Sequence, residues 1–198
     1  MASEGLKFDP RWRVAILDDH ERSRASLRAA IWVAGGAVVG EAVRCVDALP
    51  LVRRARPDVA VFAVGLPDGD GVEAARQVID AGYPVVLFTS HTGQELVDRA
   101  RSAGVIAYLL KPLRAAELAP VLDLAVARFR ETCELRRSLD DRKVIERAKG
   151  RLMARYHLSE DEAFHRLRRA AMDSRRPMVD IAKALLVSES VASDVPAE

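Results

Sequence analysis

At 198 residues the chain has room for one large domain or two small ones, and a hydrophobic fraction of 49% supplies an ordinary globular core, which excludes a disordered chain. The formal net charge of +2 hides an asymmetry: residues 142–183 carry 12 Lys and Arg against 6 Asp and Glu, pointing to a polyanionic partner there, with a solvated helix face as the plainer alternative. Only Cys45 and Cys133 occur, no segment reaches transmembrane length and the N-terminus lacks a signal-peptide core, so disulfide, zinc and membrane classes are set aside and a soluble cytoplasmic protein is expected.

In chain order, an apolar run at residues 14–17 stops at Asp18-Asp19-His20, and helical spacing follows through Leu27 and Ile31 until Gly35-Gly36. Val38-Val39 marks a second strand, and helical spacing returns at Val46, Leu49 and Val52. After Pro57 the run VAVFA (59–63) enters the loop GLPDGDG (65–71). A helix over 72–81, a strand over 85–88 ending at Thr89-Ser90, a helix over about 94–103 and a strand over 107–110 closed by Lys111-Pro112 complete the series. Five strands alternating with helices imply a doubly wound (βα)5 α/β domain with a parallel sheet, whose ligands bind beyond the strand C-termini. The residues at those ends are Asp18, Asp19, Ala63, Thr89 and Lys111. An acid pair alone is an ordinary loop or cap signal; the four ends together are specific.

With these residues placed, residues 12 to about 130 resemble a response-regulator receiver domain, through Asp18-Asp19, the run Pro67-Asp-Gly-Asp-Gly71, Thr89, Tyr108 and Lys111-Pro112. The resemblance implies Mg²⁺ binding by the acid pair and phosphorylation of an Asp ending the third strand. It further implies contacts from Thr89 and Lys111 to that phosphoryl group, with Tyr108 as the switch aromatic. At the phosphoacceptor position this sequence has Ala63, which offers neither nucleophile nor metal ligand. Losing one of three hard oxygen donors weakens such a Mg²⁺ site, so a residual metal site would rest on Asp18 and Asp19 and no cofactor is expected. Asp68 and Asp70 are assigned turn roles beside Gly69 and Gly71. The expectation is a degenerate receiver controlled without phosphorylation, through dimerisation or a regulatory protein or small ligand. The plain alternative is that Asp18, Asp19, Thr89 and Lys111 form a mutually satisfied polar cluster.

From Ala115 the apolar positions Leu118, Leu122, Ala125, Phe129, Thr132, Leu135 and Leu139 follow a heptad-like spacing, which predicts a helix to about Arg142. Pro120 falls early in it, where the first turn is expected to be irregular. A coiled-coil homodimer is the first reading, and packing back onto its own chain is the second.

The next stretch, residues 144–171, is predicted to be two basic helices. Val144, Ile145, Ala148, Leu152 and Tyr156 mark a buried face, with Tyr156 at the core edge. Lys143, Arg147, Arg151 and Arg155, four apart, stack cations on another face. Ser159 and Glu162 form a capping box opening the second helix. A basic turn at Ser174-Arg175-Arg176 and Pro177 precede a third helix, and an acidic tail is expected from Ser188.

Residues 140–187 resemble the ANTAR domain, carried above all by Ala148-Lys149-Gly150-Arg151-Leu152-Met153, with Leu158-Ser-Glu-Asp-Glu-Ala-Phe164 and Ala171-Met172-Asp173 in support. The resemblance implies an RNA-binding transcription antitermination regulator whose dimers bind paired hairpins in nascent leader RNA. The contact candidates are Lys149, Arg151, Arg155, Arg168, Arg169, Arg175 and Arg176, with stacking of a base on Tyr156 or His157 as a further possibility. Gly150, costly inside a helix, is assigned first to close helix packing and second to close approach of RNA. The expected organisation is an N-terminal tail (1–11), receiver-like domain (12–114), helical coiled-coil linker (115–139), three-helix all-α ANTAR domain (140–187) and flexible tail (188–198). Two alternatives stand beside it: a DNA-binding response regulator, and an interaction protein that sequesters another regulator. No enzyme motif is present, and His20, His91, His157 and His165 are scattered.

Overall fold

The computed structural model describes residues 9–91 and 93–193, with side chains to Ser188. The chain divides into two units, Met1–Glu131 and Thr132–Glu198.

The first unit is a parallel five-stranded sheet. Its strands are β1 (Arg13–Leu17), β2 (Ala37–Ala42), β3 (Val59–Ala63), β6 (Val85–Thr89) and β7 (Ala107–Leu110), in the order β2-β1-β3-β6-β7. The helices α1 (Glu21–Val33), α2 (Ala48–Ala55), α3 (Gly71–Asp80) and α4 (Gln94–Ser102) connect the strands. Strand alternation sends Val14, Ile16, Val59 and Val61 to one face and Ala15, Leu17, Ala60 and Phe62 to the other, so both faces need cover. The helices α2, α3 and α4 cover one face. On the other lie α1 and the first turns of α5 (Ala115–Tyr156), through Leu27, Ile31, Leu118, Leu122 and Ala125.

That burial corrects the heptad reading of the linker. Leu118, Leu122 and Ala125 are fully buried in their own sheet's core, each large side chain worth about 1.5–3 kcal/mol, while Leu135 and Leu139 are exposed. The expected seam is therefore split. The helix also does not stop near Arg142; it runs through to Tyr156, because no Gly or Pro interrupts residues 140–149. Pro120 lies inside it, as the sixth residue, and costs the helix the hydrogen bond its missing N–H would have donated to Ala116.

The loop predicted at 65–71 contains a small antiparallel hairpin, β4 (Gly65–Leu66) with β5 (Gly69–Asp70). It folds the chain back so closely that a Cβ on Gly71 would lie 1.8 Å from the Ala63 carbonyl oxygen.

The second unit packs the end of α5 with α6 (Glu160–Ser174) and α7 (Met178–Ser193). Ala148, Leu152, Ala163, Leu167 and Ala182 form its buried centre. The predicted capping box is present: Ser159 Oγ accepts from Glu162 N, and a Glu162 carboxylate oxygen accepts from Ser159 N at 2.8 Å. The helix α7 runs to Ser193 and so takes in part of the stretch expected as a tail from Ser188, and residues 194–198 lie outside the described residues. At the other end, residues 1–8 of the predicted tail also lie outside them, whereas Arg11 belongs to the fold, pairing with Asp123 at 2.5 Å.

Candidate functional site

Beyond the C-termini of β1, β3, β6 and β7 lies a pocket of about 530 Å³ lined in part by His20, Ala63, Thr89, His91, Arg99 and Lys111. Ala63 ends β3, paired with Phe88 of β6, and is 3% exposed. Asp18 follows β1 and is fully buried. Lys111 Nζ donates to its Oδ2 at 2.7 Å, and the His20 backbone N–H donates to its Oδ1 at 2.9 Å. Lys111 also lies 4.8 Å from the centre of the Phe88 ring. Asp19 pairs with the His20 ring at 2.6 Å. Thr89, buried, accepts from the His91 backbone N–H at 3.1 Å.

The four predicted pocket residues are thus split three ways. Asp18 and Lys111 meet; Asp19 turns to His20 and Thr89 to His91. Among the described residues no buried side-chain nitrogen or oxygen lacks a partner. His91 and Arg99 were not singled out from the sequence, since neither belongs to a patterned position.

A receiver-type Mg²⁺ does not fit this donor set. Asp18, Asp19 and His20 can bring one ligand atom each within 4.8 Å of one another, but one is an imidazole, both Asp18 oxygens are engaged, and Ala63 contributes none. Mg²⁺ favours near-octahedral oxygen coordination. Asp68 and Asp70 are occupied elsewhere. Burial alone would raise the Asp68 carboxyl, but the N–H groups of Cys45 and Val46, at 2.7 and 3.2 Å, outweigh it and hold the carboxyl below its ordinary range. Asp70 caps α3 by accepting from Val72 N at 2.9 Å and pairs with Arg99. Tyr108, on β7, is substantially exposed.

In the second unit, Arg151, Arg155, Arg168, Arg169, Arg175 and Arg176 are all exposed. Lys149 is not. It is 7% exposed, and its ammonium donates to Glu160 at 2.7 Å and Glu146 at 3.0 Å, which raises its pKa. Of the predicted contact residues, Lys149 is the one whose charge is already held by two carboxylates. The Arg147–Arg151–Arg155 row stands on one flank at four-residue intervals, about 6 Å along the axis. Tyr156, predicted at the core edge, is 44% exposed, with the Arg166 guanidinium 4.3 Å from its ring centre. Gly150 is exposed, and a Cβ there would meet nothing within 4 Å, so close packing within the chain does not explain it.

A five-stranded parallel sheet with this pocket, followed by a small basic helical unit, defines a regulatory protein of the two-component class. The response regulator receiver domain family matches residues 14–123, and the ANTAR domain family matches residues 134–186. The chain belongs to the response regulators that carry an ANTAR domain. It is 36% identical over 190 residues to the transcriptional regulatory protein PdtaR of Mycobacterium tuberculosis, covering 92% of this chain and 93% of that protein. It is 37% identical to the DNA-binding transcriptional activator DevR/DosR of the same organism, over only 54% of this chain and 51% of that one. Among solved structures it resembles the receiver domain of a modulated diguanylate cyclase from Desulfovibrio desulfuricans G20, at 27% identity and TM-score 0.58, over 63% of this chain and 99% of that one. The receiver domain of NarL from Mycobacterium tuberculosis gives 32% identity and TM-score 0.54, over 59% of this chain and 98% of that one. Both matched families are regulatory domains, and no helix among the described residues is long and apolar enough to cross a membrane.

Proposed function

We propose that the protein is a non-enzymatic, cytoplasmic RNA-binding regulator of transcription antitermination, acting on hairpin RNA through its second unit and controlled without phosphorylation of its receiver. The observation that carries the RNA reading is the exposed Arg147–Arg151–Arg155 row within the ANTAR-matched segment, continued by Arg168, Arg169, Arg175 and Arg176. Successive cations neutralise phosphates, and RNA loops present unstacked bases that a duplex does not. The open Gly150 supports close approach of RNA to α5, since the glycine costs helix stability and relieves no internal crowding.

Control without phosphate rests on Ala63 at the end of β3 and on Lys111, whose ammonium is engaged by Asp18. The pocket beside them is where a small ligand or regulatory protein would act. Leu135 and Leu139, exposed four residues apart on α5, are what remains of a dimer seam, and a homodimer through that stretch is part of this reading. Sedimentation of dilute protein as a monomer would reject it. The functional division follows the family matches, with a receiver over 14–123 and an RNA-binding unit over 134–186.

A DNA-binding output is disfavoured because Ile181, Ala182, Leu185 and Leu186 of α7 are spent on the core of the second unit. Competition between a two-hairpin RNA and duplex DNA, at matched salt, tests the reading. Preference for the RNA is expected; preference for the DNA overturns it.

A further inference from the structure

The second unit carries an exposed aromatic residue that its fold does not bury. Tyr156 closes α5 with nearly half its surface open, and two guanidinium groups lie over its ring, Arg166 from α6 at 4.3 Å and Arg155 at 5.6 Å. An exposed cation–π contact contributes only about 0.5–1 kcal/mol to folding. The docking of α6 is already supplied by Ala163 and Leu167, which flank Arg166 in sequence and are buried. The core therefore has no need of a tyrosine and an arginine at these two positions.

We infer that the Tyr156–Arg166 pair is a stacking platform for one unpaired RNA base. This rests on the RNA-binding reading above and names its contact for bases. A phenol ring and a guanidinium are both flat surfaces on which unstacked bases settle, whereas bases inside a duplex are already stacked and do not reach them. The guanidinium keeps its charge and its N–H rim when it lies on a ring, so Arg166 can donate to a phosphate or a base edge beside the stacked base. The platform also stands at the end of the cationic row. Arg147, Arg151 and Arg155 lead along α5 to Tyr156, and Arg155 already overlies the ring. Phosphates along the row and one splayed base at its end is the arrangement a hairpin loop offers. A smooth duplex supplies the phosphates alone.

The full-length chain tests this with two probes: an RNA stem-loop carrying 2-aminopurine in its loop, and a blunt duplex RNA with the same number of phosphates. Wild-type protein is expected to quench the loop fluorescence. Tyr156→Ala is expected to abolish the quench and weaken stem-loop binding by about 5- to 150-fold, the effect of losing one base stack. Duplex binding, which phosphate contacts supply, is expected to stay unchanged. Tyr156→Phe, which keeps the ring, is expected to behave as wild type. Arg166→Lys, which keeps the charge and loses the plane, is expected to weaken stem-loop binding selectively, and as an exposed substitution it carries the test if Tyr156→Ala fails to fold. Equal losses on both probes, or no loss on either, overturn the platform and leave RNA binding standing. Failure of the wild-type chain to bind either probe overturns the RNA reading and the platform with it.

Discussion

Lys149 Nζ donates to Glu160 Oε1 at 2.7 Å, joining the middle of the Ala-Lys-Gly motif on α5 to the first turn of α6. The second hydrogen bond, to Glu146, leaves the ammonium with little left to offer a ligand. The motif lysine thus holds the two helices in register, and the exposed arginines present the charge.

Lys149→Met is accordingly expected to lower the melting temperature by several degrees, because it leaves Glu146 and Glu160 facing each other without the cation between them. At a temperature well below melting, its RNA affinity should fall less than that of Arg151→Ala. Thermal denaturation with equilibrium binding on the same samples checks this, and a larger affinity loss for Lys149→Met would return the residue to the interface.

Gly150→Ala separates folding from binding. An added Cβ meets open space, so the helix should gain about 1 kcal/mol. If RNA approaches α5 at this point, the same methyl group weakens binding. A more stable variant with undiminished RNA affinity would rule out close approach there.

On the proposed reading, Ala63→Asp supplies a phosphoacceptor at the end of β3. The new carboxylate enters the pocket beside Thr89 and Lys111, and a third acid near Asp18 and Asp19 disfavours the fold until a cation offsets it. Mg²⁺ is expected to raise the melting temperature of this variant and leave the wild type unchanged. With a small phosphodonor and Mg²⁺, the variant should form a hydroxylamine-sensitive acyl phosphate. Wild-type labelling would contradict control without phosphorylation.

Acid should loosen the second unit through identifiable groups. The hydrogen bond from Lys149 lowers the Glu160 pKa, and those from the backbone and hydroxyl of Ser159 lower that of Glu162, both from an ordinary 4.5. Their folded-state values lie below the unfolded ones, so their stabilisation is complete above the unfolded value and is lost as pH falls through the lowered folded values. Melting temperature followed by the helical circular dichroism signal should therefore hold from pH 7 to about 5 and decline below about 4.5. Glu160→Gln and Glu162→Gln should each start lower at pH 7 and decline less. An unchanged decline in both would assign it to other carboxylates.

What the sequence revealed follows from which interactions are periodic. The five strands and their order of appearance were legible because VAIL, VAVFA and VVLF are buried on both faces, and the capping box because Ser159 and Glu162 need only local geometry. The fate of Leu118, Leu122 and Ala125 was not, since a helix stripe reads the same whether a sheet or a second chain covers it. The burial and pairing of Lys149 were hidden for a similar reason. Its partner Glu160 lies on the next helix, and only the turn at residues 157–159 brings the two together. Tyr156 was legible as a core-edge residue that could stack on a base, but Arg166 over its ring was missed because that arginine looks like an ordinary surface position until α6 is docked.

The central claim, that the second unit binds RNA through its arginine row, is tested most directly by measuring affinity for a two-hairpin RNA across a salt series. The logarithm of the association constant should fall linearly with the logarithm of salt concentration, and Arg151→Ala and Arg155→Ala should each make the slope shallower by about one for each phosphate contact removed. A flat salt dependence, or slopes untouched by either substitution, would contradict the account and favour a protein that acts by sequestering another regulator.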